Sequence, residues 1–221
     1  MIQFTHLYAG YAGRSITPAI TGSLPKGSLT ALTGDNGCGK STLLKTLAGL
    51  LPACGGRYQC DSANIALLPQ QQSLDRTFPL TVKDIVCMGG WSQRTWYGRL
   101  PHAVKVRIDE ALTLTGMIDL FNTPLTQLSG GQLQRTLFAR MWVEDSDIWL
   151  LDEPFTGVDE PTMARLMELV AQASERGKTI LVVLHDEQLV SRYFTRQLVL
   201  TSDSAQWVNP TVSTPSLYRV S

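Results

Sequence analysis

The stretch Gly34-Asp35-Asn36-Gly37-Cys38-Gly39-Lys40-Ser41-Thr42 decides how the rest of the chain is read. From Gly34 it fits G-x-x-x-x-G-K-[ST], the pattern of a phosphate-cradling loop. The run Ser28-Leu29-Thr30-Ala31-Leu32-Thr33 before it is apolar and short enough for a buried strand. After it, Ser41 to Leu51 (STLLKTLAGLL) spaces its leucines for one apolar face and stops at Pro52, which predicts a helix. Strand, loop and helix follow one another in the order the pattern requires.

The chemistry of the loop follows from its residue types. Gly34, Gly37 and Gly39 admit backbone angles closed to other residues, so successive N–H groups of Asp35, Asn36, Cys38 and their neighbours can converge on an anion. The start of the helix adds partial positive charge. Lys40 then reaches the β- and γ-phosphates of a nucleotide, and Ser41, followed by Thr42, places a hydroxyl on Mg²⁺. A turn without a ligand needs neither the lysine nor the hydroxyl.

Composition bounds the remaining possibilities. The 221 residues suffice for one sizeable domain, or one with a smaller lobe. Lys and Arg total 19, as do Asp and Glu, so no strong overall field favours nucleic acid or an anionic membrane surface. The start Met1-Ile2-Gln3-Phe4-Thr5-His6 lacks a basic segment followed by an apolar core, and no apolar run is long enough to span a bilayer. A soluble, cytosolic chain is expected. Cys38, Cys54, Cys60 and Cys87 form no C-x-x-C pair, and with His6, His102 and His185 as the only histidines no structural zinc pattern emerges. Cys38 is either a thiol activated by the helix start or a tolerated filler.

Upstream of the loop, Ile2-Gln3-Phe4, Ile16 to Ile20 and Ser28 to Thr33 read as short strands broken by glycines and Pro25, and antiparallel pairing is expected there. Tyr8 and Tyr11 fall in the first loop; either can stack on a base or simply pack. Gly55 to Asp61 and Ala63 to Pro69 read as two more strands, the second ending at Gln70-Gln71-Gln72, where parallel sheets hold their ligands. From Leu74 to Gln127 the pattern turns helical: Thr81 to Met88, Val104 to Thr115 and Ile118 to Phe121. The intervening Gly89 to Arg99 is rich in aromatics and basic groups, and reads as a protein-contact loop rather than a nucleic-acid platform.

Leu128-Ser129-Gly130-Gly131-Gln132 then opens a helix and makes a second anion site. One nucleotide needs only one such site per chain, so its use asks for a second subunit. Asp147 to Leu151 is a buried strand ending in Asp152-Glu153-Pro154, which puts one carboxylate beside Mg²⁺ and the next where an attacking water is oriented. Pro161 to Ser174 is a predicted helix, and Thr179 to Leu184 a central strand ending in His185-Asp186. A small strand at Gln197 to Leu200 and a polar tail with Trp207 close the chain.

Taken in order, these residues make the chain resemble the ATP-binding subunit of ABC transporters over nearly its whole length. Gly34 to Thr42 looks like the Walker A loop, Gln70 like the Q-loop glutamine, and Leu128 to Gln132 is the LSGGQ signature. Ile148 to Glu153 looks like Walker B with its catalytic glutamate, Thr156 to Asp159 like the D-loop, and His185 like the switch histidine; Tyr11 sits where the adenine-stacking aromatic lies. The resemblance implies an α/β fold of the P-loop NTPase, ABC ATPase type, with a mixed central sheet, an N-terminal antiparallel β subdomain and a helical lobe. It divides a single domain into a core over 1–72 and 133–221 and a signature lobe over 73–132.

The resemblance also implies a mechanism. Two subunits pack head to tail as a homodimer, and ATP on Lys40, Ser41 and the loop amides of one is covered by Ser129, Gly130, Gly131 and Gln132 of the other. Glu153 polarises water, Asp152, Gln70 and Ser41 hold Mg²⁺, His185 contacts the γ-phosphate, and Asp159 links the sites. The partners implied are an integral membrane permease and an extracytoplasmic metal-binding protein, which places the chain peripherally on the cytoplasmic face of the inner membrane; no nucleic acid is involved. Phe78 to Gly89, Leu151 to Asp159 and Tyr193-Phe194 look like zinc, manganese and iron importers, and less closely like siderophore and cobalamin importers. A soluble, non-transport ABC ATPase is the other alternative. Gln70 to Trp96 is then the expected permease-docking surface. Trp149 in the Walker B strand and Met141-Trp142 in the signature helix are bulkier than the family pattern and predict altered packing.

Overall fold

The computed structural model describes residues 1–70, 78–91 and 100–210. It divides into two compact units: Met1–Leu67 with Asp147–Glu153 and Ser174–Ser221, and Leu68–Ser146 with Pro154–Ala173.

In the first unit, β1 (Ile2–Tyr11) pairs antiparallel with β2 (Arg14–Ser15), β3 (Ile20–Leu24) and β5 (Ala53–Cys60). Its buried side chains, Ile2, Phe4, Leu7 and Ala9, follow the period of a strand with one face inward, displaced once where the register shifts beyond Phe4. A second, mixed sheet contains β4 (Leu29–Gly34), β6 (Ile65–Leu68), β7 (Ile148–Leu151), β8 (Thr179–Val183), β9 (Arg196–Leu200) and β10 (Ala205–Val208), in the order β10-β9-β4-β8-β7-β6. The pairs β4–β8, β4–β9 and β7–β8 are parallel, and β10 returns antiparallel to β9. Every residue of β7 and β8 is buried, as befits strands covered on both faces. One core joins the two sheets around α1 (Lys40–Leu47), with Leu43, Leu44 and Leu47 packed among Phe4, Ile20, Leu150 and Val183.

Several expectations need correction here. The predicted strand at Ile16 to Ile20 is displaced to Ile20–Leu24: Pro18 has no N–H to donate, and Ile16 and Thr17 both donate to the Ala9 carbonyl instead. The helix predicted over Ser41 to Leu51 stops at Leu47, because Gly49 at φ 73 turns the chain left-handed. The closing tail holds a further strand: Trp207 lies in β10, stacks on Phe4 at 6.1 Å, and donates its indole N–H to the Thr21 carbonyl at 2.8 Å. A helix with no counterpart in the sequence reading, α6 (Glu187–Tyr193), follows β8 directly.

The second unit is helical. The hydroxyl of Thr81 and the carboxylate of Asp84 cap α2 (Val82–Met88) reciprocally, and the hydrogen bonds from Thr81 hold the Asp84 carboxyl below its ordinary range. Next come α3 (His102–Thr115), closed by Gly116 at φ 63, and short 3₁₀ turns at Ile118–Leu120 and Leu125–Gln127. The helix α4 (Gly130–Glu144) packs against both α2 and α3, and α5 (Glu160–Glu175) completes the unit. The bulky Met141 and Trp142 are buried on α4, and Trp149 is buried in β7, so these residues serve as core.

Candidate functional site

The chemistry converges where β4, β7 and β8 of the first unit end. Gly34, the last residue of β4, stands at φ 136, and a Cβ there would lie 1.7 Å from the Leu200 carbonyl oxygen, so only glycine lets the strand turn at this point. Gly39, at φ 96, precedes α1, and a Cβ there would lie 2.6 Å from the Thr17 methyl group. No side chain caps the start of α1. Its leading N–H groups therefore face the loop that Asp35, Asn36 and Gly37 carry around the exposed rim, which is the arrangement that binds an anion.

Lys40 is buried, and its ammonium donates to the carbonyls of Gly34 at 2.8 Å and Asp35 at 2.7 Å. The lysine thus spans its own loop and keeps its charge at the mouth of the nest. Cys38 is buried among the core residues and acts as a packing residue. Thr42 is buried too, and its carbonyl accepts from the Thr46 hydroxyl.

Asp152 follows β7 and is 4% exposed. Ser41 donates its hydroxyl to Asp152 Oδ1 at 3.1 Å, which brings two of the three residues expected to hold Mg²⁺ side by side. Burial pushes the Asp152 carboxyl above its ordinary range; the Ser41 hydrogen bond and, more weakly, Lys45 and Lys40 oppose this, while Glu153 adds to it. A buried carboxyl beside a hydroxyl offers the hard oxygen donors that suit Mg²⁺. Its neighbour Glu153 stands at φ 50, a left-handed backbone angle. His185 Nε2 lies 2.8 Å from Glu153 Oε1. His185 leaves the end of β8, and Asp186 after it caps α6 by accepting from the backbone N–H groups of Gln188 and Leu189. Tyr11, at the end of β1, is 44% exposed.

The remaining candidates fall in the second unit. Gln70 lies just beyond β6 and is described, whereas Gln71, Gln72 and the loop residues 92–99 lie outside the described residues. Ser129 caps α4: its hydroxyl accepts from Gln132 N–H at 3.2 Å, and Gln132 Oε1 accepts from Ser129 N–H at 2.9 Å. A Cβ on Gly131 would lie 3.4 Å from Asp159 Oδ1, so Asp159 rests against the start of that helix. Sequence reasoning missed Arg135, which donates to the carbonyls of Thr115 and Gly116 and ties α4 to the end of α3. Burial lowers its guanidinium pKa and neighbouring Arg165 adds to that, with Asp159 opposing. Missed as well was Thr17, whose hydroxyl accepts from Ala9 N–H at 2.8 Å while its methyl packs on Gly39; nothing local in the sequence marks a residue whose role is to meet a distant loop. The capping role of Asp186 had a signal, an Asp directly before an apolar helical pair at Leu189 and Val190.

Comparison with known proteins gives the family. A family model described as ABC transporter matches residues 18–156. The chain is 38% identical over 206 residues to the zinc transport system ATP-binding protein TroB of Treponema pallidum, covering 90% of this chain and 77% of that one. It is 37% identical over 206 residues to the manganese transport system ATP-binding protein MntB of Bacillus subtilis, covering 90% and 82%. Among solved structures, cbiO1 from Clostridium perfringens, part of the ABC transporter complex cbiONQ, superposes with a TM-score of 0.79 at 27% identity, over 95% of this chain and 88% of that one. The dimeric structure of a bacterial ABC transporter cassette superposes with a TM-score of 0.80 at 24% identity, over 95% and 98%, and supports the fold.

Proposed function

We propose, from the premise that the chain belongs to the ABC transporter family, that it hydrolyses ATP as the nucleotide-binding subunit of an importer for a transition-metal ion, zinc or manganese. The observation that carries the reading is the convergence of Lys40, the Ser41–Asp152 pair and the Glu153–His185 pair at neighbouring strand ends. The metal rests on the names of the relatives.

In this reading the amides of Gly37, Gly39 and Lys40 and the Lys40 ammonium bind the β- and γ-phosphates of ATP, and Tyr11 stacks on the base. Ser41, Asp152 and Gln70 hold Mg²⁺, which neutralises charge on the phosphate oxygens when bound. Glu153 accepts a hydrogen bond from the attacking water and orients it in line with the γ-phosphate. His185 exchanges its hydrogen bond with Glu153 for one to a γ-phosphate oxygen. Catalysis is positioning and charge stabilisation throughout.

Ser129, Gly131 and Gln132 of a second copy cover the nucleotide, with Asp159 at the seam, so hydrolysis follows dimer closure. The helical unit, including the signature lobe, meets an integral membrane permease on the cytoplasmic face, and an extracytoplasmic binding protein delivers the metal. Among the described residues no helix is long and apolar enough to cross a membrane.

The test is metal accumulation in cells of the source organism lacking this gene, measured by elemental mass spectrometry. Zinc or manganese uptake falls, and the parent gene restores it while Lys40→Ala does not. Unchanged levels of both metals, or rescue by Lys40→Ala, would refute the assignment.

A further inference from the structure

The β1–β2 hairpin carries a side chain that none of the roles above uses. Tyr11 and Arg14 are direct cross-strand partners, as are Gly10 and Ser15, and Ala12 and Gly13 between them have φ 48 and φ 79. Positive angles at both central residues make this a two-residue turn of the tight hairpin kind. Directly opposed residues in such a ladder project from the same face, with Cβ atoms about 5 Å apart. The Tyr11 and Arg14 side chains therefore leave the hairpin from the same face. Arg14 is exposed, and among the described residues no hydrogen bond, ion pair or ring contact engages it.

The hairpin is seated against the phosphate loop. Beyond Arg14 the chain runs to Ile16 and Thr17, both of which donate to the Ala9 carbonyl. Thr17 holds the Ala9 N–H in return, and the methyl groups of Thr17 and Ile16 lie 2.6 and 3.2 Å from where a Gly39 Cβ would be. Gly10 keeps the turn tight, since a Cβ there would lie 1.9 Å from the Arg14 carbonyl oxygen. At about 3.3 Å per residue, Arg14 stands about 10 Å along the chain from the contact with Gly39. On the reading in which Tyr11 stacks on the base, a nucleotide whose phosphates fill the loop extends its ribose and base toward this edge.

We infer that Arg14 is a second contact to the nucleoside end of the bound nucleotide, its guanidinium beside the base that stacks on Tyr11. A guanidinium has five N–H donors and no acceptor, which suits the ring nitrogens of a purine and the ribose hydroxyls. The inference rests on the ATP-binding reading and adds to it a specific residue, placed by cross-strand register, at the end of the ligand away from the phosphates.

Titration calorimetry on the full chain with Mg-ATP and, separately, with Mg-tripolyphosphate, which has the phosphates but no nucleoside, tests this. Arg14→Ala weakens ATP binding about threefold to tenfold, the loss of about one hydrogen bond, and leaves tripolyphosphate binding unchanged. Its urea midpoint matches the parent, because the side chain is exposed. ATP affinity equal to the parent overturns the inference, and so does an equal loss for both ligands, which would put Arg14 on the phosphates. A parent chain that binds neither ligand overturns instead the phosphate-loop reading on which it stands, and Lys40→Ala, which removes both ligands if that reading holds, separates the two failures.

Discussion

Replacing Gly34 and Gly37 separately by alanine separates what the phosphate loop needs for folding from what it needs for chemistry. Both glycines carry positive φ, 136 and 82 respectively, but their surroundings differ. A Cβ on Gly37 meets nothing within 4 Å, so Gly37→Ala costs only the left-handed backbone penalty, about 1 to 2 kcal/mol. A Cβ on Gly34 would lie 1.7 Å from the Leu200 carbonyl oxygen, in the backbone of the strand paired with it. That contact cannot be relieved by a side-chain rotation; β4 and β9 must separate at this end. Gly34→Ala therefore costs about 1 to 3 kcal/mol of backbone strain plus about 1 kcal/mol for each ladder hydrogen bond lost, roughly 4 kcal/mol together. At about 2 to 4 °C per kcal/mol for a chain of this size, the melting temperature falls by about 10 °C for Gly34→Ala and about 3 °C for Gly37→Ala. Thermal unfolding without nucleotide, followed by circular dichroism, reads both. Equal melting temperatures for the two variants would refute the argument from the β4–β9 register.

Three further outcomes are expected. Glu153→Gln lowers ATP turnover by about a hundredfold or more while keeping nucleotide affinity, as expected when a water-orienting group is lost, and light scattering with Mg-ATP shows a dimer; a variant that turns over at the parent rate removes Glu153 from the chemistry. Because burial raises the Asp152 carboxyl, its ionised form opposes folding: stability from this group is present at low pH and is lost as pH rises through the raised value. Nucleotide-free Asp152→Asn is then more stable than the parent at pH 7.5 in urea unfolding, and the difference shrinks as pH falls toward the ordinary carboxylate range; a difference independent of pH contradicts it. Trp207→Ala loses a half-buried ring, its stack on Phe4 and a hydrogen bond to Thr21, about 2 kcal/mol together, and a shift in urea midpoint measures it.

Sequence alone determined the parts whose chemistry is local. The order of strand, glycine loop, lysine and hydroxyl from Leu29 to Thr42 states what the backbone there can do, whatever surrounds it. The same holds for the two carboxylates after a buried strand at Ile148–Leu151 and for the helix start at Leu128 to Gln132. The Ile16 to Ile20 strand failed because a β-like composition does not reveal that Ala9 will take up the N–H groups of Ile16 and Thr17. Trp207 was read as tail because a four-residue strand has no signal apart from its partners, here β9, Phe4 and Thr21. Only the tertiary structure decided that Ser41 meets Asp152, 111 residues away, that Glu153 meets His185, 32 residues away, and that Thr17 packs on Gly39. Motifs report the conformations and charges a short segment can adopt; which segments meet is settled by burying the leucine face of α1 between two sheets, an energy spread over the whole core.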